Sequence, residues 1–191
     1  MSALSKSVLA AGLLGLAVAA QATPTVTVVA NTAGVTNALA AADAFVPANS
    51  TPWQTTSAWW TGNAETITFQ LDQAYFLSSA VITADWNDVY RFSASTDGVN
   101  FTQLFTVTGL ADQPVNANVT FGQVTMPVSF APTALAYSYI RVQAIAGDGS
   151  NAIGEVSFSG VAAPVPEPGT LAFMAAGVGI LGFVARRRRR G

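Results

Sequence analysis

Residues 90–101 read YRFSASTDGVNF, and this stretch decides the fold. In its first half apolar and polar side chains alternate, which is the pattern of a β-strand with one face in water. Asp97-Gly98 follows where the chain must reverse, because Gly adopts a positive φ without a clash at Cβ. A second alternating run begins at Phe101. The stretch therefore predicts a β-hairpin.

The same alternation recurs along the chain and is separated by turn-forming Gly, Pro, Asn and Asp. It predicts strands at Thr25–Val29, Glu65–Leu71, Ser79–Ala84, Val89–Ser95, Phe101–Val107, Ala117–Val124, Tyr139–Ala144 and Ile153–Ser159. The one helical candidate is the Ala-rich segment from Thr36 to Phe45. Many short strands at fairly regular spacing are typical of an antiparallel sandwich, so we expect an all-β domain over residues 23–162.

The N-terminus has the three parts of a secretory signal peptide. Lys6 supplies a positive start, Val8 to Ala20 is an apolar run, and Ala20-Gln21-Ala22 is an A-x-A cleavage site. We therefore expect a signal peptide over residues 1–22 and export through the Sec translocon. A first membrane helix is the alternative, but the apolar run is short for one.

The C-terminus, residues 163–191, also has three parts. A short motif, Pro166-Glu167-Pro168, precedes an apolar run, and the chain then closes on a basic cluster. The cluster consists of Arg186, Arg187, Arg188, Arg189 and Arg190. Because five arginines are costly to move across a bilayer, they predict a transmembrane helix at 170–185 with its basic end in the cytoplasm. The alternative is a buried hydrophobic helix with a basic end.

These three C-terminal parts, in this order, resemble the PEP-CTERM sorting signal of Gram-negative bacteria. The resemblance implies export through the inner membrane and C-terminal anchoring before processing. It also implies recognition by an exosortase, a membrane cysteine transpeptidase-like enzyme, with cleavage near the motif. The mature protein is then expected at the cell surface or outside the cell.

Charge and composition exclude several functional classes. Between residues 23 and 162 only Arg91 and Arg141 are cationic, which argues against nucleic-acid binding. The chain has no Cys and no His, so disulfides, thiol chemistry and an imidazole base are absent. Asp85 and Asp88 could in principle cleave a glycosidic bond, but carboxylates in one short loop more often bind calcium or hydrogen-bond. We therefore expect no enzymatic activity.

The order of the strands between residues 31 and 160 resembles the discoidin or coagulation-factor C-type domain of the galactose-binding-like superfamily. The resemblance depends on the hairpin of residues 90–101, the strand Tyr139-Ile140-Arg141-Val142 and the strand Ile153-Gly154-Glu155-Val156. It implies a jelly-roll sandwich, a fold that supplies many bacterial carbohydrate-binding modules.

The same resemblance implies a structural calcium ion bound by Glu155, with Asp43 as the acid from the early loop. Calcium takes six to eight oxygen ligands, many from the backbone, so the sequence shows only part of such a site. The family's usual Asp-Gly reads Asp43-Ala44 here, and Ala resists the positive φ that Gly allows.

Sugar binding needs an aromatic face beside polar groups. Trp59 and Trp60 are adjacent, so in an extended segment only one of them can be core. Trp86 lies in a polar loop, and we predict that it contacts the ligand together with Asp88 and Arg91. The alternative is that the tryptophans cap the ends of the sandwich. Arg141 is expected to pair with a carboxylate, with a ligand contact as the other possibility.

Two functions from different classes fit the sequence. One is a carbohydrate-binding module that holds exopolysaccharide or a surface glycan. The other is a structural matrix or biofilm protein without a defined sugar ligand. The Trp-rich loops favour the first, and the Ala, Thr, Asn and Gln-rich composition leaves the second open.

Overall fold

The computed structural model describes residues 20–49, 51–108, 122–164, 176–178 and 186–187. Its strands are β1 (Gln21–Ala22), β2 (Val26–Asn31), β3 (Ala58–Thr61), β4 (Thr66–Asp85), β5 (Val89–Ser95), β6 (Thr102–Thr108), β7 (Gln123–Ser129), β8 (Tyr137–Ala146) and β9 (Ser150–Ala162). A short 3-10 helix spans Ala38–Ala42. The described chain is therefore all-β and antiparallel, as the alternation predicts.

The long strand β4 belongs to both sheets of the sandwich. Its first half lies between β2 and β8, and β8 continues to β5 and β6. Its second half lies between β7 and β9, and β9 carries β3 and β1 on its other side. We call these the first and the second sheet. The two strands predicted at 65–71 and 79–84 are thus the two halves of β4, since the chain runs one way with β8 as partner, reverses between Gln70 and Tyr75, and runs back with β9 as partner.

The core lies between the inner faces of the two sheets. Its largest fully buried side chains include Trp60, Phe69, Tyr90, Phe92 and Phe158. The Phe92 ring stacks on Phe105 at 5.0 Å and meets Phe158 edge-to-face at 6.5 Å, which joins the first sheet to the second. Full burial of such a side chain stabilises the fold by roughly 1.5–3 kcal/mol.

The hairpin of residues 90–101 is confirmed, with a longer connection than a tight turn. Strand β5 has the predicted bounds, and Gly98 has a φ of 75°. Between β5 and β6 the Asp97 carboxylate accepts hydrogen bonds from the backbone N–H of Val99 and Asn100, at 2.9 and 2.8 Å. These bonds hold the pKa of Asp97 well below its usual range.

Two other predictions have mixed outcomes. The helical candidate at 36–45 reduces to the 3-10 helix Ala38–Ala42. Strand β7 shares only two residues with the strand predicted at 117–124, of which residues 117–121 lie outside the described residues. Pro127 is tolerated because β7 pairs only with β4 and Pro127 is exposed at that edge.

Strand β3 is not predicted by alternation, yet it fixes the two adjacent tryptophans. Trp60 is fully buried and Trp59 is half-buried on the other face, so the expectation that only one of them is core is confirmed. The two residues pair with Asn151 and Ala152 of β9.

The sandwich has two distinct ends. At the entry end, β1 pairs with Gly160 and Val161, and Ala162 pairs with Tyr75. At the opposite loop end lie the connections 62–65, 86–88 and 147–149. The chain therefore enters and leaves the domain at the same end.

The two membrane-related segments fall largely outside the described residues. Residues 1–19 of the predicted signal peptide and most of the predicted span 170–185 are not among them. Gln21 and Ala22, at the predicted cleavage site, form β1. Within the described ranges, no helix is long and apolar enough to cross a membrane.

Candidate functional site

Hydrogen bonds between neighbouring loops hold the loop end together. The N–H of Gly62 donates to the Gly149 carbonyl at 2.9 Å, and the Asn151 side chain donates to the Gly62 carbonyl at 2.9 Å. The Asn87 side chain donates to the Asp148 carboxylate at 2.9 Å. The connections 62–65, 86–88 and 147–149 are thus tied into one rim.

Trp86 lies in this rim, at the start of the turn between β4 and β5. Its side chain is half-buried. Its backbone N–H donates to the Asp85 carboxylate at 2.9 Å, which orients the turn. Asn87 is half-buried beside it, and Asp148 is exposed. An indole thus lies in the same rim as amide and carboxylate groups.

Asp88 is fully buried, unlike the exposed loop residue that a ligand contact requires. Its carboxylate accepts a hydrogen bond from the Tyr90 hydroxyl at 3.1 Å. A Cβ at Gly147 would overlap the Asp88 carboxylate, so this close packing requires Gly there. The predicted contact between Asp88 and a ligand therefore does not fit its position.

The Tyr90 hydroxyl replaces a missing backbone partner of β9. The last pair between β4 and β9 is Ala84 with Ile153, so the next residue, Ala152, has no β4 partner. The Tyr90 hydroxyl lies 3.0 Å from the Ala152 carbonyl and accepts a hydrogen bond from the Ala152 N–H at 2.9 Å. The hydrogen bond between Asp88 and the Tyr90 hydroxyl holds the hydroxyl in this position.

The proton arrangement of this network depends on whether Asp88 is protonated. The Tyr90 hydroxyl has one proton but two acceptors, the Asp88 carboxylate and the Ala152 carbonyl. A protonated Asp88 can donate to the hydroxyl and free its proton for the carbonyl. Burial and the charge of Asp148 raise the pKa of Asp88 to about 6, against the lowering effect of the Tyr90 hydrogen bond. Burial, and then the charge of Asp88, raise the pKa of Asp85 to about 7.

Arg91 lies away from Asp88, on the outer face of the first sheet. Tyr90 points into the core, so its neighbour Arg91 points outward, opposite Gln143 of β8. The structure therefore does not bring Trp86, Asp88 and Arg91 into one site.

Asp43 and Glu155 do lie together, in an open pocket of about 370 Å³. The Ala44 N–H donates to Glu155 Oε2 at 3.1 Å, and the Phe45 N–H donates to Asp43 Oδ1 at 2.9 Å. Burial, and then the charge of Asp43, raise the pKa of Glu155 to about 7. Ala44 has a φ of 65°, so it adopts the conformation that Gly would take more easily.

The donors in this pocket are of the kind that calcium prefers. They are two carboxylates without a cationic neighbour in the pocket lining, next to loop backbone that carries further carbonyl oxygens. Within the described ranges, no group of three or more His, Cys, Asp or Glu side chains could hold a metal ion. Backbone oxygens would therefore have to supply most of the ligands.

Trp53 belongs to the group of tryptophans for which the sequence leaves capping of the sandwich ends open, whereas Gln123 was not singled out from the sequence. Trp53 packs edge-to-face on Trp59, with ring centroids 5.6 Å apart. Gln123 is fully buried and donates to the Ser57 hydroxyl. An isolated Gln near the start of a strand carries no pattern that would identify such a role.

The family described as the PEP-CTERM protein-sorting motif matches residues 164–190. The chain therefore carries a PEP-CTERM sorting signal. The match contains Pro166, Glu167, Pro168 and all five terminal arginines. The signal implies an exported surface protein that is anchored at its C-terminus before an exosortase processes it. No curated protein sequence matches the chain.

Solved structures confirm the fold of the domain. A family 32 carbohydrate-binding module of Clostridium perfringens NanJ, in complex with galactose, has 17% identity and a TM-score of 0.50, with 73% of this chain and 99% of that chain covered. The C-terminal domain of a Bacteroides fragilis chitobiase has 13% identity and a TM-score of 0.51, with 73% and 96% covered. Truncated AlyQ, with family 32 module and alginate lyase domains, has 18% identity and a TM-score of 0.51, with 78% and 35% covered. The domain therefore shares the jelly-roll fold of these structures.

Proposed function

We propose that this PEP-CTERM protein presents a non-catalytic carbohydrate-binding module at the cell surface. Its ligand is an exopolysaccharide or a surface glycan, bound at the loop end. The observation that carries the proposal is Trp86 in a rim that hydrogen bonds hold together. The fold shared with the NanJ module, which is in complex with galactose, supports this choice.

The chemistry of the rim suits a sugar. The half-buried indole of Trp86 can cover the apolar face of a pyranose ring, as aromatic side chains do in sugar sites. Asn87, Asp148 and Asn63 lie in the same rim and can bind hydroxyl groups. Because the loops are tied together, little ordering is needed on binding.

Binding of the full chain, purified in detergent, to a broad glycan and bacterial-polysaccharide array tests the proposal. Trp86→Ala should weaken binding of the selected glycan at least about fivefold, since aromatic contacts contribute roughly 1 kcal/mol. Phe45→Ala is the matched control, because Phe45 is an exposed aromatic residue outside the rim and 52% accessible. If the folded protein binds no glycan, the structural matrix protein becomes the better assignment.

A structural calcium ion bound by Asp43 and Glu155 is part of the same proposal. Burial, and then the charge of Asp43, raise the pKa of Glu155, and a bound calcium ion would neutralise the negative charge of the two carboxylates. Calcium should raise the Tm of the protein and a chelator should reverse the rise. Glu155→Gln should remove most of the response. A melt that is unaffected by calcium would contradict the assignment.

Finer steps of export also belong to the proposal. We expect signal-peptide cleavage after Ala22 following transport by the Sec translocon, and anchoring by the helix 170–185 until the exosortase acts. Mass spectrometry of the mature protein should find an N-terminus at Thr23. An N-terminus upstream of residue 20 would contradict this processing step.

A further inference from the structure

The two cations of the domain lie side by side on the outer face of the first sheet. Arg91 of β5 lies opposite Gln143 of β8, and Arg141 of β8 lies opposite Ser93 of β5. The two arginines are therefore diagonal neighbours, with backbone positions roughly 7–8 Å apart. We call their surroundings the Arg face. It consists of Arg91, Arg141, Thr68, Ser93, Thr106 and Gln143.

Arg141 is held in place by neutral groups. Its Nε donates to the Thr68 hydroxyl at 3.3 Å, and its guanidinium carbon lies 3.7 Å from the centre of the Phe101 ring. The cation–π contact restrains the planar group without neutralising its charge. The predicted carboxylate partner is thus replaced, in these contacts, by a hydroxyl and a ring. The terminal nitrogens remain for an external acceptor.

The positive charge of Arg91 is also not neutralised by the described residues next to it. Its Nε is buried and has no hydrogen-bond partner among the described residues. The residues opposite it, Thr106 and Gln143, are neutral. Two like charges on adjacent strands repel each other, and an anion bound between them would offset that repulsion.

We propose that the Arg face binds the carboxylate groups of a uronate-containing polysaccharide. A guanidinium group presents a planar fork that matches a carboxylate, and two forks on one rigid sheet can engage successive acidic sugars. The Thr, Ser and Gln side chains around them suit sugar hydroxyls. The chain offers only these two cations between residues 23 and 162, so a densely charged polymer such as nucleic acid gains little.

The two arginines of this site lie outside the rim, although Gln143 of the Arg face donates its side-chain N–H to the Asn63 carbonyl of the rim at 3.0 Å. The Arg face lies on the outer face of the first sheet, whereas Trp86 lies in the turn after β4. The inference therefore stands or falls independently of the sugar site proposed above, and each site has its own variants.

The test uses the full chain in detergent and measures affinity for polygalacturonate and alginate, with dextran as the neutral polymer. Arg91→Gln and Arg141→Gln should each weaken uronate binding about tenfold, and the double variant should abolish it. Binding should also weaken in 0.5 M salt, because the charges are near the surface. Gln70→Ala, at an exposed position of the same sheet, should leave uronate affinity unchanged.

Arg91→Lys keeps the test valid if Arg141→Gln disturbs folding, since Arg91 Nε makes no hydrogen bond that the fold requires. Lys retains the charge without the fork, so an affinity between wild type and Arg91→Gln supports the site. Unchanged uronate binding in folded Arg91→Gln, or equal affinity for dextran, would overturn the proposal. Equal affinity for inorganic polyphosphate would also overturn it, by indicating a general anion site.

Discussion

Ala44 shows how a single backbone angle can store strain in this domain. Its φ of 65° costs a residue with a Cβ roughly 1 kcal/mol relative to Gly. Ala44→Gly should therefore raise the free energy of unfolding by about 0.5–1 kcal/mol, measured by urea denaturation. Ala42→Gly is the control. Ala42 ends the 3-10 helix, so its change to Gly should lower the free energy of unfolding by a similar amount. Equal effects of the two changes would contradict the argument.

Asp85, Asp88 and Glu155 make stability depend on pH. Burial is the main cause that raises their pKa values, to about 7, about 6 and about 7. The folded state then holds protons that the unfolded state releases near pH 4, so stability falls as pH rises from about 5 to 8. The Tm in the presence of a chelator should fall by roughly 3–6 °C over this range.

Two variants test whether Asp85 and Asp88 cause this pH dependence of the Tm. Asp88→Asn and Asp85→Asn cannot lose a proton, so each should flatten the dependence of Tm on pH. Asp97, whose pKa is lowered, acts only at more acidic pH and leaves the range of 5 to 8 unaffected. A Tm that rises with pH, or variants as sensitive as the wild type, would show that these carboxyls are already ionised in the fold.

The composition of the candidate site was only partly predictable from residues. The position of Trp86 in a polar turn was predictable, whereas its contact with a ligand stays a prediction. Asp88 and Arg91 are three positions apart, and alternation itself places residues of opposite parity on opposite faces. Once Tyr90 is recognised as core, Asp88 belongs with it and Arg91 does not. The pairing of Arg91 with Arg141 depends on strand register, which the sequence does not show.

At the scale of elements, Tyr90 closes the β9 ladder where β4 ends. Tyr90→Phe removes the partner of both backbone groups of Ala152, which are buried. The expected loss is about 1–3 kcal/mol in the free energy of unfolding. Tyr139→Phe, on the outer face of β8, should change it by less than about 0.5 kcal/mol. Amide exchange at Ala152 should also accelerate in Tyr90→Phe, and unaltered exchange would contradict the role of the hydroxyl.

Strands with one wet face were the predictable elements. Strand β5 has its predicted bounds, and β8 and β9 contain their predicted cores, because alternation reports directly on a half-exposed face. The polar residues at 72–73 indicate a turn, and the chain does reverse there, but the sequence did not show that the two halves form one continuous strand that changes partner. Strand β3 was missed because two adjacent tryptophans hide the period of two.

At the scale of the whole molecule, both connections to the rest of the chain leave from the entry end. Strand β9 has 13 residues and runs from the loop end to the entry end, a length of roughly 40 Å. We therefore expect a precursor anchored by its C-terminus to present the entry end to the membrane and the rim with Trp86 away from it. This arrangement leaves the proposed sugar site open to polymers outside the cell.

Single-cysteine labels can measure this orientation, because the chain has no Cys of its own. Ala134→Cys lies near the entry end, where Thr133 donates its N–H to the Leu77 carbonyl, and Asn63→Cys lies at the loop end. In vesicles with an acceptor-labelled lipid, energy transfer from the label at residue 134 should exceed that from residue 63, since a separation of tens of ångströms weakens transfer steeply. Val99→Cys, exposed in the hairpin near the entry end, should match Ala134→Cys. Equal transfer from all three labels would mean that the domain lies along the membrane, and the rim would then meet its ligand from the side.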